Sequence, residues 1–144
     1  MTEWARQMLA QTGVDVSDLP GAGAAGGLGG AFMAYWGARR VRGIDRVLEL
    51  VGFEKAAQGA DLIITGEGKS DAQTLMGKVP QGVLQKAKGT PVALLSGRIE
   101  NRSELLSAGF SQLIEVTPRS LPLSEALEPA TARRLLREAV LRLE

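Results

Sequence analysis

Between residues 62 and 78 the chain passes from the apolar triplet Leu62-Ile63-Ile64 straight into Thr65-Gly66-Glu67-Gly68-Lys69-Ser70-Asp71, and on through Gln73, Thr74, Gly77 and Lys78. The apolar residues predict a short buried strand over 62–65. The glycines after it predict a turn, so Glu67, Lys69, Asp71 and Lys78 leave the C-terminal end of that strand. Open α/β sheets bind their ligands at that end. Carboxylates there can hold a divalent cation or accept a proton, ammonium groups neutralise phosphoryl oxygens, and glycines let backbone N–H groups approach an anion. This combination is suited to phosphate chemistry.

From Asp61 onward, apolar runs alternate with helical patterns, which is the arrangement of a parallel sheet. Strands are expected at 62–65, 92–95 and 113–116, and helices at 81–87, 103–108 and 124–143. Pro80 suits the first turn of its helix, where a missing N–H costs nothing. Pro129 divides the last helical region, because proline clashes with the turn before it. Right-handed crossovers then bring the loops 66–71, 96–98 and 117–119 to one rim. The expected class is α/β, a three-layer arrangement of a short parallel sheet flanked by helices.

The first part of the chain reads differently. Helical spacing predicts a helix over 2–11, ended by Gly13 and followed by a polar connection over 14–20. A glycine-rich block then enters a helix over 31–36, whose Phe32, Tyr35 and Trp36 are expected in the core because aromatics bury much area. Helices at 45–51, with Val47, Leu48 and Val51 inward, and at 53–58 complete it. The expected organisation is a mainly helical segment 1–59 with a glycine-rich loop and an α/β segment 60–144, together one compact unit.

Composition removes several alternatives. The 144 residues suit one domain with a real core, and 17 basic against 16 acidic residues, a formal net charge of +1, offer no electrostatic case for nucleic acid. The arginines at 39, 40 and 42 and at 133, 134 and 137 read as solvated helix ends or faces. Without cysteine or histidine there is no disulfide, thiolate or imidazole, so acid–base work falls to carboxylates and lysines. No stretch reaches the roughly 20 apolar residues of a membrane helix, and Glu3 and Arg6 interrupt any leader-like run. The expected location is cytoplasmic, with no membrane partner.

Glu67 and Asp71 are the candidates for holding Mg2+ or for deprotonating an acceptor hydroxyl, and Lys69 for stabilising charge on a transferred phosphoryl. The bland alternative makes Asp71 a turn cap and Glu67 and Lys69 surface partners. Lys78 is not part of a P-loop, which needs glycine where Ala72 stands and Ser or Thr where Val79 stands; it can reach a phosphate or a substrate carboxylate. Gly21, Gly23 and Gly26 satisfy G-x-G-x-x-G, yet no apolar strand precedes them and no acidic residue follows a second strand at the required distance, so a nicotinamide-dependent oxidoreductase rests on that pattern alone. Either the amides of this block approach phosphates, or its glycines allow close helix packing.

Thr65-Gly66-Glu67-Gly68, a basic residue, Asp71, Gln73-Thr74 and Gly77-Lys78 together resemble the signature of the bacterial glycerate kinase family. The block Pro20-Gly21-Ala22-Gly23-Ala24-Ala25-Gly26-Gly27-Leu28-Gly29 is similar to the family's glycine-rich segment, and Leu123-Ser124-Glu125-Ala126-Leu127 to its C-terminal Ser-Leu-Glu-Glu-Ala pattern. Lys69 and Ser70 depart from the arginine and apolar residue usual there, and lysine lacks the bidentate fork. The resemblance implies ATP-dependent phosphorylation of D-glycerate with Mg2+, in part of a two-domain glycerate kinase-like fold. It implies Asp71, Lys69 and Glu67 as catalytic residues, and Gly66, Gly68, Gln73, Thr74, Lys78, Gly21, Gly23 and Gly26 as substrate or phosphate contacts. Asp71 and Glu67 would hold the metal. Family members are much longer, and this chain is similar to their C-terminal part. The implied partners beyond small molecules are therefore a further copy of the chain or a complementing N-terminal half. The alternative is a non-catalytic α/β domain that binds a nucleotide or anion without turnover.

Overall fold

The computed structural model describes residues 2–143, which fall into two compact units divided after residue 42. In the first unit, α1 (Thr2–Thr12) buries Ala5 and Met8 on one side, and Gly13 ends it at φ +74. A 3-10 turn at Ala24–Gly27 leads into α2 (Leu28–Trp36). Gly30, Ala31 and Ala34 form the buried side of α2, beside a cluster that includes Met8, Val16 and Ala22. These small residues let the backbones close in. A Cβ on Gly29 would lie 2.2 Å from the Gly21 carbonyl oxygen, so only glycine fits there.

That choice of packing face overturns the expectation for the aromatics. Phe32, Tyr35 and Trp36 lie on the open side of α2, with Trp36 72% exposed. They pack on one another instead, the Phe32 and Trp36 rings 5.3 Å apart and the Tyr35 and Trp36 rings 6.0 Å apart. Residues that permit close approach win the inward face over residues that offer area.

The second unit runs α3 (Gly43–Leu50), α4 (Phe53–Ala56), β1 (Ile63–Ser70), a 3-10 turn (Ala72–Leu75), α5 (Val79–Lys86), β2 (Val92–Ile99), α6 (Arg102–Ser107), β3 (Gln112–Glu115), α7 (Leu123–Ala126) and α8 (Pro129–Val140). Its sheet is parallel, in the order β1-β2-β3. Successive side chains of a strand face opposite ways, and both faces are covered. Val92, Leu94 and Leu113 pack with Leu48, Val83, Leu105 and Phe110 on one side, whereas Ala93, Leu95, Ile114 and Val116 pack with Leu135 and Ala139 on the other. Helices on both faces of a parallel sheet make the three-layer α/β architecture expected from the sequence. Fully burying a side chain such as Leu94 or Leu105, both at 0% exposure, contributes about 1.5–3 kcal/mol.

Pro80 lies in the first turn of α5 and Pro129 begins α8, each where its missing N–H is harmless. In α3, Leu48 is buried and Ile44 packs against the core, while Val47 and, just past the helix, Val51 are exposed, contrary to the expected inward face. Ile44 fills the space a side chain would need at Gly82, whose Cβ would sit 2.3 Å from Ile44 Cγ1. The helices α3 and α4 thus share the core of the sheet, and the division between the units falls at residue 42, upstream of the position 59 read from the sequence.

Both long strands outrun their expected ends. β1 continues to Ser70 and β2 to Ile99, paired Gly66 with Leu95, Glu67 with Ser96, Lys69 with Arg98 and Ser70 with Ile99. The glycines that read as a turn are strand residues at a very close approach: a Cβ on Gly66 would lie 2.5 Å from the Leu95 carbonyl oxygen, and one on Gly97 would lie 2.6 Å from that of Gly68.

Candidate active site at the end of the first strand

The extension of β1 places Glu67 and Lys69 on the strand itself and Asp71 just beyond it, at the C-terminal rim. Asp71 caps the 3-10 turn: its Oδ1 accepts the Gln73 N–H at 2.9 Å, and its own N–H donates to Thr74 Oγ1 at 3.0 Å. This reciprocal capping box satisfies two donors that a helix start leaves open. The capping alternative for Asp71 is therefore real, and it leaves Oδ2 facing Lys69 Nζ at 3.9 Å.

Glu67 is the more enclosed carboxylate, its side chain 16% exposed against 23% for Asp71. Its Oε1 accepts hydroxyl protons from Ser70, at 2.9 Å, and from Thr74, at 2.5 Å. Its Oε2 faces Lys78 Nζ at 4.0 Å. Lys69 extends from the strand toward Glu100 Oε1, 3.0 Å away. Two carboxylates and two ammonium groups thus gather within one strand end and one turn, with the Thr74 hydroxyl linking the Glu67 carboxylate to the Asp71 backbone N–H. Gly66, Gly68 and Gln73 are exposed beside them. Gly21, Gly23 and Gly26 belong to the first unit, where Gly21 takes φ +87 and its carbonyl accepts the Ala24 N–H at 3.0 Å.

Several participants were not singled out in the sequence. Ser70 looked like a departure from a pattern, but it is a buried donor to Glu67. Glu100 follows Ile99, the register partner of Ser70, so only the strand pairing reveals its closeness to Lys69. Glu115, on β3, gathers the Ile99 N–H at 3.2 Å and the guanidinium groups of Arg98 and Arg119, both at 3.4 Å. Burial works against its charged form, but the Ile99 N–H and the two arginines outweigh that and hold the carboxyl below its ordinary range. Arg98 also donates to the Thr117 carbonyl at 3.2 Å, which ties the end of β2 to the loop after β3. On the face of the sheet toward α8, Ile64, Gly66, Leu95 and Leu136 border an apolar cavity of about 420 Å3 that reaches Glu67.

The arrangement has the parts for moving a charged group: paired cations, a carboxylate with an open oxygen, and a second carboxylate fixed in place. Among the described residues, no cluster of three or more Asp, Glu, His or Cys side chains converges on one point. Mg2+ in nucleotide sites ordinarily uses one or two carboxylates completed by phosphate oxygens and water, and Asp71 and Glu67 fit that requirement. No helix among the described residues is long and apolar enough to cross a membrane.

Comparison with known proteins adds a second kind of observation. A family model described as the glycerate kinase family matches residues 1–143. The chain is 47% identical over 116 residues to a glycerate kinase of Bacillus subtilis (strain 168), covering 78% of this chain and 30% of that protein. It is 51% identical over 75 residues to the glycerate 2-kinase of Escherichia coli (strain K12), covering 52% and 20% respectively. A crystal structure from Salmonella typhimurium LT2, of a protein assigned as a glycerate kinase 2, superposes with a TM-score of 0.70 at 37% identity, over 97% of this chain and 36% of that one. The chain therefore spans about a third of the length of the relatives it matches.

Proposed function

Because this chain belongs to the glycerate kinase family, we propose that it carries the phosphoryl-transfer portion of an enzyme that phosphorylates D-glycerate with ATP in the cytoplasm. The observation that supports this reading is the convergence of Glu67, Lys69, Asp71 and Lys78 at the end of β1. Lys69 and Lys78 neutralise the phosphoryl oxygens, a service that phosphoryl transfer needs more than covalent help. Asp71, the more exposed carboxylate, accepts the proton of the glycerate hydroxyl as that oxygen bonds to the γ-phosphorus and the bond to the ADP oxygen breaks. Glu67 through Oε2 would hold Mg2+, which would neutralise charge on the phosphate oxygens while Asp71 is left free for the proton. Gly66 and Gly68 carry no side chain to obstruct a phosphate, and Gln73 stands exposed at the start of the turn. The glycine-rich block with Gly21, Gly23 and Gly26 belongs to the first unit, where its amides are proposed to approach an anion.

A second reading is favoured by the share of the relatives that the chain covers, about a third. In it, the chain binds nucleotide and needs a complementing segment for turnover. Glycerate-dependent ADP formation, measured with Mg2+ and with glycerate omitted as control, separates the two. Turnover by the chain alone supports the first reading. Binding of ATP with no turnover, relieved by adding the remaining portion of the Bacillus subtilis relative, supports the second. Neither binding nor turnover in a folded sample rejects both.

A further inference from the structure

Ser70 and Thr74 are polar yet have no exposed surface, and their hydroxyls converge on a single atom, Glu67 Oε1. Buried polar groups need partners, and here each hydroxyl spends its only proton on the same carboxylate oxygen. Thr74 does more. The oxygen that donates to Glu67 accepts the Asp71 N–H at 3.0 Å, so one hydroxyl touches both candidate carboxylate residues. Resting on the phosphoryl-transfer reading, we propose that Thr74, assisted by Ser70, is a positioning residue that locks Glu67 with Oε1 turned into the protein and Oε2 toward Lys78, and couples it to Asp71.

The physical case is one of freedom removed. An unrestrained glutamate on a strand edge samples several rotamers, and a site that must meet a phosphoryl group works best when its charges are already placed. Two hydroxyl donors fix one Glu67 oxygen, which leaves the other with a defined direction. Through the Asp71 N–H, the same threonine holds the start of the 3-10 turn and with it the Asp71 carboxylate. Thr74 itself meets no ligand, since it is closed off from solvent.

The test uses the 144-residue chain with Thr74→Val, which matches shape without the hydroxyl, Thr74→Ser, which restores it, and Glu67→Ala alone and combined with Thr74→Val. Circular dichroism checks that each variant folds. Hydrogen exchange of the Asp71 amide and the MgATP dissociation constant are then read. Thr74→Val is expected to speed Asp71 amide exchange and weaken MgATP binding, each about tenfold, and Thr74→Ser to recover both. In the Glu67→Ala background, Thr74→Val is expected to add little further loss of affinity, because it acts through Glu67. Fully additive losses, unchanged affinity in Thr74→Val, or an unprotected Asp71 amide in the wild type would overturn the proposal. A wild-type chain that binds no MgATP would refute the phosphoryl-transfer reading and the functional part of the lock with it. A purely structural lock would still show in the exchange data.

Discussion

Lys69 Nζ lies 3.0 Å from Glu100 Oε1 and 3.9 Å from Asp71 Oδ2, so the nearer carboxylate of this lysine is one that follows a neighbouring strand. Strand pairing of Ser70 with Ile99 brings Glu100 there. An exposed pair of this kind adds little to stability, about 0–1 kcal/mol, but it places a negative charge where a phosphate is expected. Glu100→Gln should therefore leave the unfolding midpoint nearly unchanged and tighten MgATP binding about threefold. Isothermal titration at low and high salt checks this, and weaker binding in the variant would speak against Lys69 as a phosphate partner.

Asp71 combines a capping role with a proposed chemical one, and two substitutions separate them. Asn retains an oxygen for the Gln73 N–H but carries no charge, whereas Ala loses the cap as well, at a cost of about 1 kcal/mol. In whichever form turns over, Asp71→Asn is expected to lower glycerate-dependent turnover at least about 100-fold with stability kept. Asp71→Ala should lose both. A nearly active Asp71→Asn would reduce Asp71 to a cap.

The strand ends depend on bare backbone. Gly97→Ala places a Cβ 2.6 Å from the Gly68 carbonyl oxygen, and the obstacle is main chain that cannot swing aside. Destabilisation of roughly 1–3 kcal/mol is expected, read as a drop in the urea midpoint. An unchanged midpoint would mean that β1 and β2 are less closely joined than described.

Acid should act through Glu115. Its carboxyl is held below the ordinary value of 4.5, since the Ile99 N–H and the guanidinium groups of Arg119 and Arg98 outweigh the cost of burial. A carboxyl lowered in the folded state stabilises the fold above its unfolded value, and that contribution is lost as pH falls through the folded value. Wild-type stability should thus decline on acidification below about pH 4.5, and Glu115→Gln should flatten part of that decline. Parallel urea titrations across this range decide; identical slopes would remove Glu115 from the account.

Much of the second unit was readable from residues alone. Apolar runs at 62–65, 92–95 and 113–116 fall on or beside the three strands, and the prolines at 80 and 129 sit at helix starts. The strand ends were not readable, because glycine signals a turn in isolation and gives no sign that Gly66 and Gly97 press against a neighbouring backbone. The aromatic residues of α2 were misplaced for a related reason: the packing face went to Gly30, Ala31 and Ala34, whose smallness counts only once a partner surface exists. At the site, charged residues close in sequence were visible as a group. Contacts made across strands, such as Glu100 with Lys69 and Arg98 with Glu115, depend on register and were not.

The most direct measurement is an amide NMR titration of the 144-residue chain with MgATP, which locates the ligand whether or not turnover occurs. The account predicts that the second unit's largest shifts fall on Gly66, Gly68, Lys69, Asp71 and Lys78. Shifts concentrated instead around Lys55, Lys86 and Lys88, at the polar hollow beside Glu54, or no shifts at all, would contradict it.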